Sequence, residues 1–160
     1  MGDQDGHVVD PDVDLGVARQ RAELRRAPWT TLGAISVGGA LGSLARYRLS
    51  VAFPHRPDEF AWATWSVNVA GCLLIGMLMV AITEVWRAPR LARPFLGVGV
   101  LGGFTTFSAY AVEAQQALEA GAARTGLLYL VTTVAGALVA VYAGVNLARS
   151  AARHVRRGRS

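Results

Sequence analysis

The chain has 160 residues, of which 52% are hydrophobic and only 17% charged. A soluble domain carries about a quarter charged residues, so this balance argues for membrane-spanning segments instead. All 16 basic residues are Arg and the net charge is +5. They flank apolar runs and form no single basic face, a pattern of membrane orientation and not of nucleic-acid binding.

Residues 1–28 read as a disordered tail. Asp3, Asp5, Asp10, Asp12 and Asp14 crowd its start, and no apolar core follows a basic beginning, so it is not a secretory signal. It closes on Arg19, Arg21, Arg25 and Arg26. Four apolar runs follow, at about 30–53, 61–85, 94–118 and 125–147. At 1.5 Å per residue each crosses the roughly 30 Å hydrocarbon core. Backbone groups in lipid must be satisfied within the segment, and none of the runs alternates in polarity as a barrel strand would. The expected fold is therefore all-α, an integral membrane four-helix domain over residues 29–148. An Arg-rich tail occupies 149–160. Trp29, Trp62, Trp65 and Trp86 stand near span ends as interfacial anchors.

The first run carries Gly38, Gly39, Gly42 and Ser43, small residues that let helix backbones approach closely. Arg46 is deep in it. Its charge either snorkels to the interface or draws anions into a vestibule. In the second run Asn68 is costly in hydrocarbon unless paired. It makes an interhelical hydrogen bond or lines an anion path with its amide. Thr64 lies one turn earlier on the same face. Cys72, the single cysteine, forms no disulfide within the chain and reads as a small packing residue.

The third run holds Gly97, Gly99, Gly102 and Gly103, then Thr105 and Thr106. Gly-Gly before Thr-Thr is poor helix material, so a break is expected near 102–106. Unwound backbone at membrane depth must be buried in protein or line a polar cavity, where freed carbonyls can hold a cation. Phe107 and Tyr110 are three apart on one face. They pack ordinarily or offer positively polarised ring edges to an anion. In the fourth run Tyr129 and Thr133 place two hydroxyls one turn apart. Glu84 and Glu113 are expected nearer span ends, within reach of water or an Arg.

Charge predicts topology. Arg19, Arg21, Arg25, Arg26, Arg87, Arg90, Arg93, Arg149, Arg153, Arg156, Arg157 and Arg159 share one side of a four-span chain. Arg56 and Arg124 hold the other, with Arg48 at its edge. Both termini are expected in the cytoplasm of a cell membrane crossed several times.

Three segments together resemble the small bacterial fluoride channels of the CrcB/Fluc type: Gly-Gly-Ala-Leu-Gly-Ser-Leu-Ala-Arg-Tyr at 38–47, Asn-Val-Ala-Gly at 68–71, and Gly-Gly-Phe-Thr-Thr-Phe-Ser at 102–108. The resemblance covers roughly 30–148. It implies a dimer of antiparallel subunits with two fluoride pores and a central structural Na⁺. Carried onto this chain, the Na⁺ carbonyls fall at Gly102 and Thr105. Asn68 is the pore amide, Phe107 and Tyr110 are the aromatic pair, and Tyr129 and Thr133 form the hydroxyl track. Thr64 and Ser108 join the candidate pore residues and Arg46 the vestibule. The implied role is passive fluoride export and no enzymatic reaction. The second aromatic of the pattern is usually Phe and is Tyr110 here, and Ala137 stands where a further hydroxyl is expected.

The strong Arg bias suggests insertion in one orientation and pairing with a homologous subunit of the opposite one, although a homodimer is also compatible with the resemblance. Two further readings stand beside the channel. One is a small drug–proton antiporter, which needs a deep carboxylate. The other is a non-conducting or partner-dependent subunit of a heterodimeric channel. The Arg-rich C-terminus is read as serving topology rather than as a lipid-binding element.

Overall fold

The computed structural model describes residues 28–85 and 88–157. The predicted tail with its Arg19 to Arg26 cluster, Trp86, Arg87 and Arg159 lie outside the described residues. The described residues are all helix and turn, without strands. Helix α1 is Pro28–Ala52, and α2 is Trp62–Val80, continued by a wider π-wound turn over Ala81–Val85. Helix α3 is π-wound over Arg93–Leu101, with Pro94 in its first turn, and closes with Gly102–Phe104. Helix α4 is Ser108–Glu119. Helix α5 is Ala123–Arg157, which carries the fourth predicted span well beyond residue 147.

Among the described residues, three stretches are long and apolar enough to cross a membrane by length and composition: Trp62–Glu84, Arg93–Glu119 and Ala123–His154. Helix α1 covers nearly the range predicted for a first span. Its Gly, Ser, Arg46 and Arg48 keep it out of that apolar set.

Glycines set the helix pairing. A Cβ at Gly38 would lie 2.5 Å from the Phe95 carbonyl oxygen, and one at Gly42 would strike the Val100 carbonyl. Position rises along both helices together, so α1 and α3 run parallel at backbone contact. The same logic joins α2 to α5. A Cβ at Gly76 would strike the Val141 carbonyl, and one at Gly144 the Leu73 carbonyl. At the far end of this second pair, Arg149 closes on Glu84 at 2.9 Å. In hydrocarbon no hydrophobic force presses helices together, and close backbone approach provides the van der Waals contact that does. Small residues at these positions are what permit it.

The α4–α5 connection is a tight reversal. Gly121 has φ 74°. The Ala122 N–H reaches the Ala117 carbonyl at 2.9 Å and the Gly121 N–H reaches that of Leu118 at 3.0 Å. These are the two bonds of a Schellman helix end, for which glycine is the unstrained residue. The reversal sends α5 back antiparallel to α4. The buried cluster at this end is Ala61, Tyr110, Ala114 and Tyr129, flanked by Phe60, Trp65 and Leu130.

Candidate functional site

Residues 105–107 stand between α3 and α4. Thr105 is extended, with φ −77° and ψ 158°. Buried backbone polar groups need partners, so the bonds of this segment define it. The Thr106 N–H donates to Asn68 Oδ1 at 2.8 Å, and Asn68 Nδ2 donates to the Thr106 carbonyl at 2.9 Å. One side-chain amide from α2 thus pairs both backbone groups of Thr106. The Ala109 N–H donates to Thr106 Oγ1 at 3.2 Å. In an uninterrupted α-helix those two N–H groups would go to the carbonyls of Gly102 and Thr105. Side chains divert both donors, which releases the two carbonyls predicted to face a cation. Between them, the Gly103 carbonyl accepts from Ser43 Oγ at 3.3 Å and from Arg46 Nε at 3.2 Å.

Gly71 lets α2 reach this segment, since a Cβ there would strike Thr105 Cγ2. Asn68 lies one turn before Gly71 and is 9% exposed.

A groove of about 580 Å³ runs past the segment. It brings together six predicted residues: Asn68, Gly102, Thr105, Phe107, Tyr110 and Thr133. Cys72 also lines it, as does Ala137 at the position where a hydroxyl was expected. Phe107 is 79% exposed and Tyr110 only 9%. Their ring centroids are 5.7 Å apart at 49°. The Tyr110 hydroxyl, which departs from the family pattern, donates to the Leu130 carbonyl at 3.1 Å. Thr133 Oγ1 donates to the Tyr129 carbonyl at 2.7 Å.

The other predicted residues fall elsewhere. Ser108 Oγ is 3.3 Å from Thr106 Oγ1, and Arg46 is half-buried with its Nε on the Gly103 carbonyl. Thr64 and Tyr129 converge on Glu113. Thr64 Oγ1 donates to Oε1 and the Tyr129 hydroxyl to Oε2, each at 2.7 Å. The Tyr129 ring is held by the Phe60 ring edge-on at 5.3 Å and by Tyr110 at 5.4 Å.

Glu113 is the residue that sequence reasoning undervalued. It was expected to reach water or an Arg near a span end. Instead α4 carries the carboxylate to one hydroxyl from α2 and one from α5. Its position three residues after Tyr110, on one helical face, was the available signal. Glu84 does pair with an Arg, as expected, through Arg149. Among the described residues no three His, Cys, Asp or Glu side chains converge as a metal site.

The model of the CrcB-like protein family, also described as Camphor Resistance (CrcB), matches residues 33–145. A protein of Nocardia farcinica named "Fluoride-specific ion channel FluC 2" is 52% identical over 124 residues, covering 78% of this chain and 89% of that protein. A Streptomyces avermitilis protein of the same name is 46% identical over 74% of this chain and 78% of its own length. "Fluoride-specific ion channel FluC 1" of Streptomyces coelicolor is 47% identical over 81% of this chain and 84% of its own. The matched region contains all of the groove and the diverted backbone of residues 102–109, and on this ground the chain belongs to the CrcB-like family.

Proposed function

We propose that this chain is a subunit of a fluoride-specific ion channel that lets fluoride leave the cytoplasm passively. The observation that carries the reading is the groove uniting Asn68, Phe107, Tyr110 and Thr133 beside a non-helical segment, in a chain whose relatives are named fluoride channels. Fluoride is small and strongly hydrated, so a path for it must replace water with several donors. The second N–H of the Asn68 amide, the Ser108 hydroxyl and the ring edges of Phe107 and Tyr110 supply them without binding the ion to a fixed cation, and the hydroxyls of Thr64, Tyr129 and Thr133 join by turning from their acceptors, Glu113 and the Tyr129 carbonyl, toward the ion. Arg46 adds positive charge that favours anions near its end of the path. No enzymatic step belongs to this reading.

In it α1 is the first of four spans: its 25 residues reach about 37 Å at the helical rise, and its glycine seam follows α3. Residues 105–107 are the break of a third span made of α3 and α4, and both termini are cytoplasmic. The freed carbonyls of Gly102 and Thr105 would hold Na⁺, a hard cation that takes oxygen ligands, and the ion would supply positive charge bracing the break. The exposed apolar face of α1, including Leu41, Leu44 and Val51, meets lipid or a second subunit lying antiparallel. The one-sided distribution of Arg favours a homologous partner of opposite orientation, and Streptomyces avermitilis carries relatives numbered 2 and 3.

The test is fluoride efflux from liposomes containing this chain alone, with chloride as control. Fluoride-selective efflux is expected if the chain suffices. Efflux that appears only with a co-purified homologue supports the heterodimer, and none in either case overturns the channel reading. Cysteine-accessibility mapping that finds equal populations of both orientations in cells refutes the one-way insertion.

A further inference from the structure

The geometry points to Arg46 as a positioning residue for the cation site. Through Nε it holds the Gly103 carbonyl, and so keeps that oxygen engaged while those of Gly102 and Thr105 stay open to the ion. This rests on the cation reading above. Of the four carbonyls in the 102–105 stretch, those of Gly102, Gly103 and Thr105 differ in what they meet, and each needs a partner at membrane depth. Two lose their helical donors to Asn68 and Thr106. The third receives two donors from α1, Ser43 Oγ and Arg46 Nε. Ser43 and Arg46 are three apart and share a helical face. They reach Gly103 because glycines on both helices admit backbone contact: a Cβ at Gly103 would strike the Gly39 carbonyl. An ion drawn to unpaired oxygens therefore finds Gly103 already engaged.

A hydrogen-bonding role and a purely electrostatic one separate by chemistry. Gln places its Nε2 at the same distance along the side chain as the Arg Nε, so Arg46→Gln keeps the donor and loses the charge. Arg46→Met fills the same length with neither. The experiment is thermal unfolding of the full chain in detergent, followed by tryptophan fluorescence, with Na⁺ titrated against choline at constant ionic strength. Wild type and Arg46→Gln are expected to show the same Na⁺-dependent rise in Tm. Arg46→Met is expected to need about tenfold more Na⁺ for half the effect, as loss of one hydrogen bond implies. If Arg46→Met does not fold, Ser43→Ala, which removes the other donor to the same carbonyl, is expected to weaken the Na⁺ response likewise. An equal response of the Gln and Met variants, retained or lost together, overturns the positioning role, as does an unchanged Ser43→Ala where only that variant is measurable. A merely structural role would lower Tm equally in Na⁺ and choline. Wild-type protein indifferent to Na⁺ would instead overturn the cation reading itself.

Discussion

Replacing Asn68 with Leu tests the bond pattern that defines the site. Leu matches Asn closely in size and removes both polar atoms. The change strips the Thr106 N–H and carbonyl of their partners at 2.8 and 2.9 Å. The bonds are part-buried beside the groove, so water replaces them only in part, and an orphaned group there costs at most about 1–3 kcal/mol. Two such groups put the loss at roughly 2–6 kcal/mol, with the apolar gain of Leu pulling toward the lower end. For a chain of this size each kcal/mol moves Tm by roughly 2–4 °C, so a fall of about 5–20 °C is expected. Tryptophan-fluorescence melting of the full chain in detergent reads it, and liposome efflux of the same variant should lose fluoride conduction. Asn68→Asp, which keeps an acceptor for the Thr106 N–H but no donor, should fall between. A Leu variant melting within about a degree of wild type would show that Asn68 does not hold the segment.

Three further outcomes follow from particular side chains. Phe107 is largely exposed while Tyr110 is buried, so Phe107→Ala should leave Tm nearly unchanged yet abolish most fluoride efflux; equal efflux would remove the ring from the path. Tyr110→Phe deletes the bond to the Leu130 carbonyl and should cost about 0.5–1.5 kcal/mol in unfolding while fluoride efflux persists; a sharp change in conduction would mean that the hydroxyl meets the ion. Gly76→Ala pushes a methyl into the Val141 carbonyl, and the parting of α2 from α5 should destabilise by about 1–3 kcal/mol in the same melting assay.

Much of the fold was legible along the chain because lipid imposes simple rules. Helix length, apolar runs and segregated Arg are local properties, and the helices fall near the predicted bounds. Gly-Gly and Thr-Thr are weak helix formers, and the extended Thr105 stands among them. The C-terminal end of α5 was less legible. Its Arg-rich sequence reads as a solvated tail, whereas the helix continues to Arg157 with Arg149 paired across to Glu84.

The sequence by itself determined which residue types stand within the apolar runs: an amide at 68, two rings at 107 and 110, and hydroxyls at 64, 129 and 133. Tertiary structure alone decided what each one faces. Asn68 and Thr106 are 38 positions apart and meet only because Gly71 lets α2 approach Thr105. Arg46 serves the Gly103 carbonyl because α1 and α3 run parallel in contact. Thr64 and Tyr129 turn to Glu113 because α4 brings its carboxylate within reach of both their helices. Hydrogen bonds reach about 3 Å, so partners are settled by helix register and proximity, and neither is a property of a single segment.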